Sequence, residues 1–275
     1  MSGARFRFSC VAGLAIAVLG LGIGATLGES KDDPWPDIAF NAFNGRALVD
    51  GTGLLAIDMP YRAEDAAIVP VTVRATLPAG DERRVKAFTI IIDENPSPVA
   101  ATFTLGANSG VSSISTRVRV DSYTNVHAVA ELSDGKLYVV KTYVKASGGC
   151  SAPTAKNTDD TVASLGQMRM RQFANDTDMR ASRAREAQIM IRHPNNSGLQ
   201  MDQVTRLYVP PFFVHDMKIW QGDDLILSMD GGISISQDPN IRFTYMPNGA
   251  RSLRAQATDT DNHVFNGDWP VAAQM

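Results

Sequence analysis

The residue best suited to chemistry is Cys150, in the segment Ala146-Ser147-Gly148-Gly149-Cys150-Ser151-Ala152-Pro153. Thiolate is the nucleophilic form of cysteine, and two preceding glycines remove side-chain bulk, so that a partner protein could close around the sulfur. Lys145 and Lys156 stand near enough in sequence to favour the thiolate slightly. The competing reading is a buried, inert cysteine, a common state for this residue type. No apolar alternation surrounds Cys150, so the pattern favours an exposed sulfur on a flexible arm, with Gly148 and Gly149 supplying the flexibility.

That thiol stands alone once the N-terminal segment is accounted for. Arg5 and Arg7 precede an uncharged run from Val11 to Leu27, with small residues at Gly24, Ala25 and Gly28. Residues 1–28 therefore read as a signal peptide that takes Cys10 with it on cleavage. The run is too short and glycine-rich for a span, which needs about 20 predominantly apolar residues. The expectation is a periplasmic protein with no stable membrane insertion after cleavage. Exported proteins tend to pair their cysteines or omit them, so an unpaired one asks for a chemical explanation. Loss of Arg5 and Arg7 takes the formal charge from −3 to −5, which argues against nucleic acid or an anionic membrane as partner.

Other candidate sites are weaker. Asp259-Thr260-Asp261-Asn262 has the start of a calcium loop, but Val264 occupies the glycine position and no glutamate closes it, so a hairpin turn is the better reading. His127, His193, His215 and His263 lack metal-ligand spacing. His127 reads as a strand histidine, and His193, before Pro194, as a shaper of its loop. Arg180, Arg183 and Arg185 fit a solvated loop better than an anion-binding surface. No nucleophile elbow or phosphate loop occurs, so neither metal, cofactor nor autonomous catalysis is expected.

The elements that must position Cys150 are strands. Trp35-Pro36-Asp37 opens a short helix that Asn44-Gly45 closes. Runs rich in β-branched residues follow at 68–76, 85–92, 100–105, 113–120 and 126–132; Asp134-Gly135 then makes a hairpin to 136–145. Pro70 predicts an edge position for the first of these. Residues 151–164 are small and polar and read as a flexible linker. A second series occupies 167–173, 186–192, 212–220, 225–229, 241–245 and 253–258, with a hairpin at Gln221-Gly222-Asp223. The fold class is all-β, two antiparallel β-sandwiches joined by the linker. The halves echo each other: Asn95-Pro96 precedes one strand, Asp238-Pro239 another, and each half ends on an Asp-Gly or Asp-Asn hairpin. Sandwiches so related could join their edges and protect them from stray pairing.

Val85-Lys86-Ala87, the stretch Asn95 to Phe103, Ser115-Thr116-Arg117-Val118-Arg119-Val120, Ala128 to Gly135 and Gly148-Gly149-Cys150 together resemble the SoxY sulfur-carrier family. The second half is similar to the partner family SoxZ, through His193-Pro194-Asn195-Asn196-Ser197-Gly198, Val209 to Val214 and Ile235-Ser236-Gln237-Asp238-Pro239. The whole most resembles fused SoxYZ-like carriers associated with quinoprotein dehydrogenases. The resemblance implies immunoglobulin-like sandwiches at 35–150 and 165–275. It also implies that Cys150 holds sulfur-oxidation intermediates and presents them to periplasmic sulfur-oxidation enzymes or a quinoprotein dehydrogenase system. The opposing class is a non-catalytic adaptor or scaffold in which Cys150 is incidental. Unlike the free carrier, the arm here continues into a second half, so its apex can protrude at most about 30 Å at roughly 3.3 Å per residue.

Overall fold

The computed structural model describes residues 33–153, 163–173 and 184–272. The expected signal peptide at 1–28 and most of the expected linker, with Lys156, Arg180 and Arg183, lie outside the described residues. The helix forms as expected, α1 at Trp35–Ala42, closed by Asn44 and Gly45 at φ 52° and 70°, the region glycine adopts without strain. Its apolar side packs Phe43, Ile38 and Trp35 onto Ile91, Val129 and Leu137.

The first half contributes eight strands: β1 (Leu48–Asp50), β2 (Leu55–Asp58), β3 (Val69–Ala75), β4 (Val85–Ile92), β5 (Val99–Leu105), β6 (Ser113–Val118), β7 (Thr124–Leu132) and β8 (Leu137–Val144). The second contributes seven: β9 (Met168–Gln172), β10 (Arg185–Ile191), β11 (Val214–Gln221), β12 (Asp224–Gly231), β13 (Asn240–Tyr245), β14 (Ser252–Asp259) and β15 (Val264–Pro270). Strands β1 and β2 escape the sequence reading, and β15 is implied there only as the return of the Asp-Asn hairpin, without bounds. The first two are short, and β15, over VFNGDWP, is never fully buried and lacks the β-branched density that marks the others.

Two sheets result, ordered β1-β8-β7-β4-β5-β12-β11-β14-β15 and β2-β3-β6-β13-β10-β9. Each half thus carries one topology: 8-7-4-5 over 2-3-6 in the first matches 15-14-11-12 over 9-10-13 in the second. The echo in the sequence is an architectural repeat, but the motif match is offset by one strand. Asn95-Pro96 precedes β5, whereas Asp238-Pro239 precedes β13, the counterpart of β6. The closing hairpins, β7–β8 and β14–β15, do correspond.

Equivalent edges pair at the seam, antiparallel in both sheets: Phe103 opposite Met229 between β5 and β12, and Ile114 opposite Phe243 between β6 and β13. One apolar cluster therefore runs through both halves, from Val71 and Phe88 through Phe103 to Ile219 and Phe243. The sandwiches are joined along both sheets, and separation would expose four strand edges and divide that core. Pro70 needs a smaller correction. Strand β3 lies between β2 and β6, but β2 pairs only as far as Thr72, so Pro70 sits past its end where that flank is locally open.

Candidate functional site

Strand β8 delivers the chain to Cys150. Beyond Val144, the Lys145 N–H donates to Tyr61 O and the Ala63 N–H to Lys145 O, which fixes the start of the arm. Gly148 turns with φ 76°; its N–H donates to Asp121 O at 2.8 Å, and that of Gly149 to Val120 O at 3.0 Å. A Cβ on Gly149 would lie 2.1 Å from Ala66 O and 2.6 Å from Val120 O, so only glycine lets the two backbones meet.

The outcome corrects the expected exposure: Cys150 is 0% exposed. The reason is backbone packing from below and a roof from the second half. The Ser197 hydroxyl lies 2.5 Å from Cys150 O and donates to it; Gln200 Oε1 accepts the Ser197 N–H at 2.8 Å and holds that residue in place. Arg119, itself 1% exposed, donates from one guanidinium nitrogen to Gly149 O at 3.0 Å and from another to Asn195 O at 3.3 Å. One buried cation thereby ties the arm to the opposite half. Cys150 is nonetheless absent from both apolar clusters of the described residues, whereas Ala146, four residues earlier, belongs to the large one. It is counted among the buried residues of the core, and two charged groups, Arg119 and Asp121, act on its thiol.

This setting makes the thiol unreactive as it stands. Burial pushes its pKa from 9.0 up to about 12; the Asp121 carboxylate adds to the rise and Arg119 opposes it. Lys145 places its ammonium 4.9 Å over the Tyr61 ring and does not appear among the groups that shift the thiol. The cation that acts on the sulfur is Arg119, which stands within a SoxY-like motif but has no role that the sequence alone reveals. Asn195, Ser197 and Gln200 likewise escape the sequence reading, though the first two sit inside the His-Pro motif.

Behind Asn195 stands a buried support. The Asn195 N–H donates to His193 Nδ1 at 3.1 Å, which leaves the ring proton on Nε2, facing Asp259 Oδ2 at 3.4 Å. Asp259 also receives His263 Nδ1 and two N–H groups of the β14–β15 turn. His193 therefore shapes its loop, as its position before Pro194 suggests, and the Asp259 segment is a hairpin turn. His127 is buried, bound to Asp93 at 2.9 Å and stacked on Trp35 with ring centroids 3.5 Å apart. His215 stands apart on β11, and Arg185 donates to Ala272 O at the end of the sheet. No cluster of three or more His, Cys, Asp or Glu able to hold a metal occurs among the described residues.

Fold and site together define a fused pair of β-sandwiches in which one half ends on a glycine-borne cysteine and the other closes over it. Residues 40–150 match the family model of Sulfur oxidation protein SoxY, and residues 174–270 that of Sulphur oxidation protein SoxZ. The two matches in tandem cover most of the chain, which belongs to the SoxYZ-like sulfur-oxidation carriers in fused form. Among solved structures, the sulfur carrier protein SoxY from Chlorobium limicola f thiosulfatophilum is 26% identical, over 41% of this chain and 91% of that one, with a TM-score of 0.33. The superoxide reductase neelaredoxin from Ignicoccus hospitalis is 9% identical, over 33% of this chain and 77% of that one, with a TM-score of 0.29. Scores so low carry no functional argument. No curated protein matches the chain.

Proposed function

We propose that Cys150 is the covalent attachment point for sulfur-oxidation intermediates, and that the protein is exported to the periplasm and presents its cargo there to sulfur-oxidation enzymes or a quinoprotein dehydrogenase system. It performs no catalysis of its own. The observation that carries this reading is that the SoxY match ends on Cys150, buried on an arm that a few directed hydrogen bonds close. The arm is held by Ser197 at Cys150 O, by Arg119 at Gly149 O and by the Gly148 and Gly149 N–H groups on the 120–121 backbone, and it is released by breaking bonds of about 1 kcal/mol net each. Closure keeps the thiol protonated and unreactive, and opening restores its chemistry.

A second reading has one observation in its favour. A sulfur with no exposure and a pKa pushed up to about 12 is what an adaptor with an incidental cysteine would carry. Mass spectrometry of protein purified from its native periplasm separates the two. A reducible sulfur adduct on the Cys150 peptide supports the carrier. An unmodified thiol in an intact partner complex, with a Cys150→Ser strain oxidising substrate at the native rate, supports the adaptor.

A further inference from the structure

The second-half segment that covers Cys150 continues into an exposed apolar hairpin. Val204 is 91% exposed, Leu207 68% and Tyr208 65%, with Met201 beside them. This tip has a fixed shape. Met201 pairs with Tyr208, the Asp202 N–H donates to Leu207 O and the Arg206 N–H to Asp202 O. The Asp202 carboxylate accepts the N–H groups of Val204 and Thr205 together with the Thr205 hydroxyl. Lower down, the Val209 N–H donates to Gln200 O at 2.8 Å, and Gln200 holds Ser197, whose hydroxyl bonds the Cys150 carbonyl. Apolar side chains displayed on a rigid turn have no folding role, and such displays mark sites of association.

We propose that the Met201–Tyr208 hairpin is the docking element for the enzyme that acts on Cys150, and that it inserts into an apolar recess beside that enzyme's active-site entrance. The inference rests on the carrier reading. Three observations select this occupant. The hairpin is continuous with the segment whose Ser197 hydroxyl bonds the Cys150 carbonyl, so whatever binds the tip is linked to the arm. The tip carries one acid and one base, Asp202 and Arg206, so apolar contact rather than charge decides the fit. Four side chains fall well short of the ~800 Å² per partner of a stable complex and suit a brief encounter. That size also argues against a second copy of this chain, for which a lasting symmetric interface would be needed.

Docking has a consequence at the thiol. Gln200 and Val209 lie at the hairpin's base, so a load on the tip reaches Ser197 through two hydrogen bonds. The test uses the full chain in its native host, with the photoreactive residue p-benzoylphenylalanine placed at Leu207, or at Val49 on the other half as control. The expected result is a Leu207-specific crosslink to an enzyme identified by mass spectrometry. That enzyme, purified, should speed N-ethylmaleimide labelling of Cys150 at least tenfold in the native chain and much less in a Val204→Asp, Leu207→Asp variant of unchanged melting temperature. The proposal is overturned if Leu207 gives no crosslink or joins only another copy of this chain. Unchanged labelling with the enzyme present, or equal acceleration in the variant, overturns it as well. Absence of a sulfur adduct on Cys150 in the native host counts against the carrier reading separately, because crosslinking and labelling need no cargo.

Discussion

Labelling of Cys150 by iodoacetamide measures the closed state directly. Only thiolate reacts, and at pH 8 an ordinary cysteine of pKa 9.0 is about one-tenth ionised while a thiol at about 12 is about one ten-thousandth ionised. Native Cys150 is therefore expected to label about a thousandfold more slowly than the same residue in urea-unfolded chain, followed on the Cys150 peptide so that Cys10 does not interfere. The pH profile is the sharper test. A rise from 9.0 to about 12 is worth about 4 kcal/mol, at about 1.4 kcal/mol for each tenfold change in the ionisation constant, so loss of the proton favours the open arm by that amount. Because opening and ionisation are coupled in this way, the native labelling rate should keep rising about tenfold per pH unit past 9, where the unfolded chain levels off. A native rate within tenfold of the unfolded one at pH 8, or a plateau near pH 9, would refute the closed, protonated thiol.

Further outcomes follow from single contacts. Ser197→Ala leaves the Cys150 carbonyl without its donor; a loss of about 1–3 kcal/mol from the closed arm is expected, read as about five- to 150-fold faster labelling and a fall in melting temperature of about 2–4 °C per kcal/mol lost. In Gly149→Ala the new Cβ meets Ala66 O at 2.1 Å, so the arm should stay undocked and Cys150 should label near the unfolded rate while circular dichroism remains that of a β-sheet protein. Cys150 also bears on stability at high pH. Its folded pKa is raised, so its contribution is full below about 9 and is lost as pH climbs toward 12; urea midpoints across that window should fall more in the native chain than in Cys150→Ala. His193 acts at the other end of the scale. Burial lowers its pKa below 6.5, so the unfolded chain takes up the proton first and stability should decline as pH drops through 6.5, a slope that His193→Gln should reduce.

The strands are legible wherever alternation is strong. The run 85–92 matches β4 to the residue, and β7, β13 and β14 are matched to within two at each end, because β-branched runs on a half-buried sheet leave a period-two signature. Strand β1 is three residues long, and β15 alternates between half-buried and exposed positions with no buried residue to mark it. Edge-to-edge joining of the halves is open to inference from the echo, but its register is not, since pairing of Phe103 with Met229 leaves no local pattern. Burial of Cys150 is illegible for a related reason. The groups that hold the arm in place are backbone atoms of Ala66 and Val120 against Gly149 and a loop far along the chain at Ser197, and periodicity around a cysteine reports only its own strand.

Fusion changes what the arm needs. A carrier cysteine near a free chain end can leave its site by swinging, whereas the chain beyond Cys150 continues through Ser151 toward β9. On the proposed carrier reading, opening must lift Cys150 while the chain is held on one side at Lys145 and on the other at β9, which pairs with β10. The bonds that close it are correspondingly few and specific: Gly148 and Gly149 to the 120–121 backbone, Arg119 to Gly149, and Ser197 to Cys150. Two of these bring in the second half, because Arg119 also holds Asn195 and Ser197 belongs to the same loop. In the fused chain the SoxZ-like half is thus always beside the thiol it covers, at an effective concentration that no dissociation can lower. If Cys150 is the proposed carrier residue, control of the sulfur passes from arm mobility to the stability of that cover, which is why Ser197→Ala should alter reactivity at Cys150 while leaving the sheets untouched.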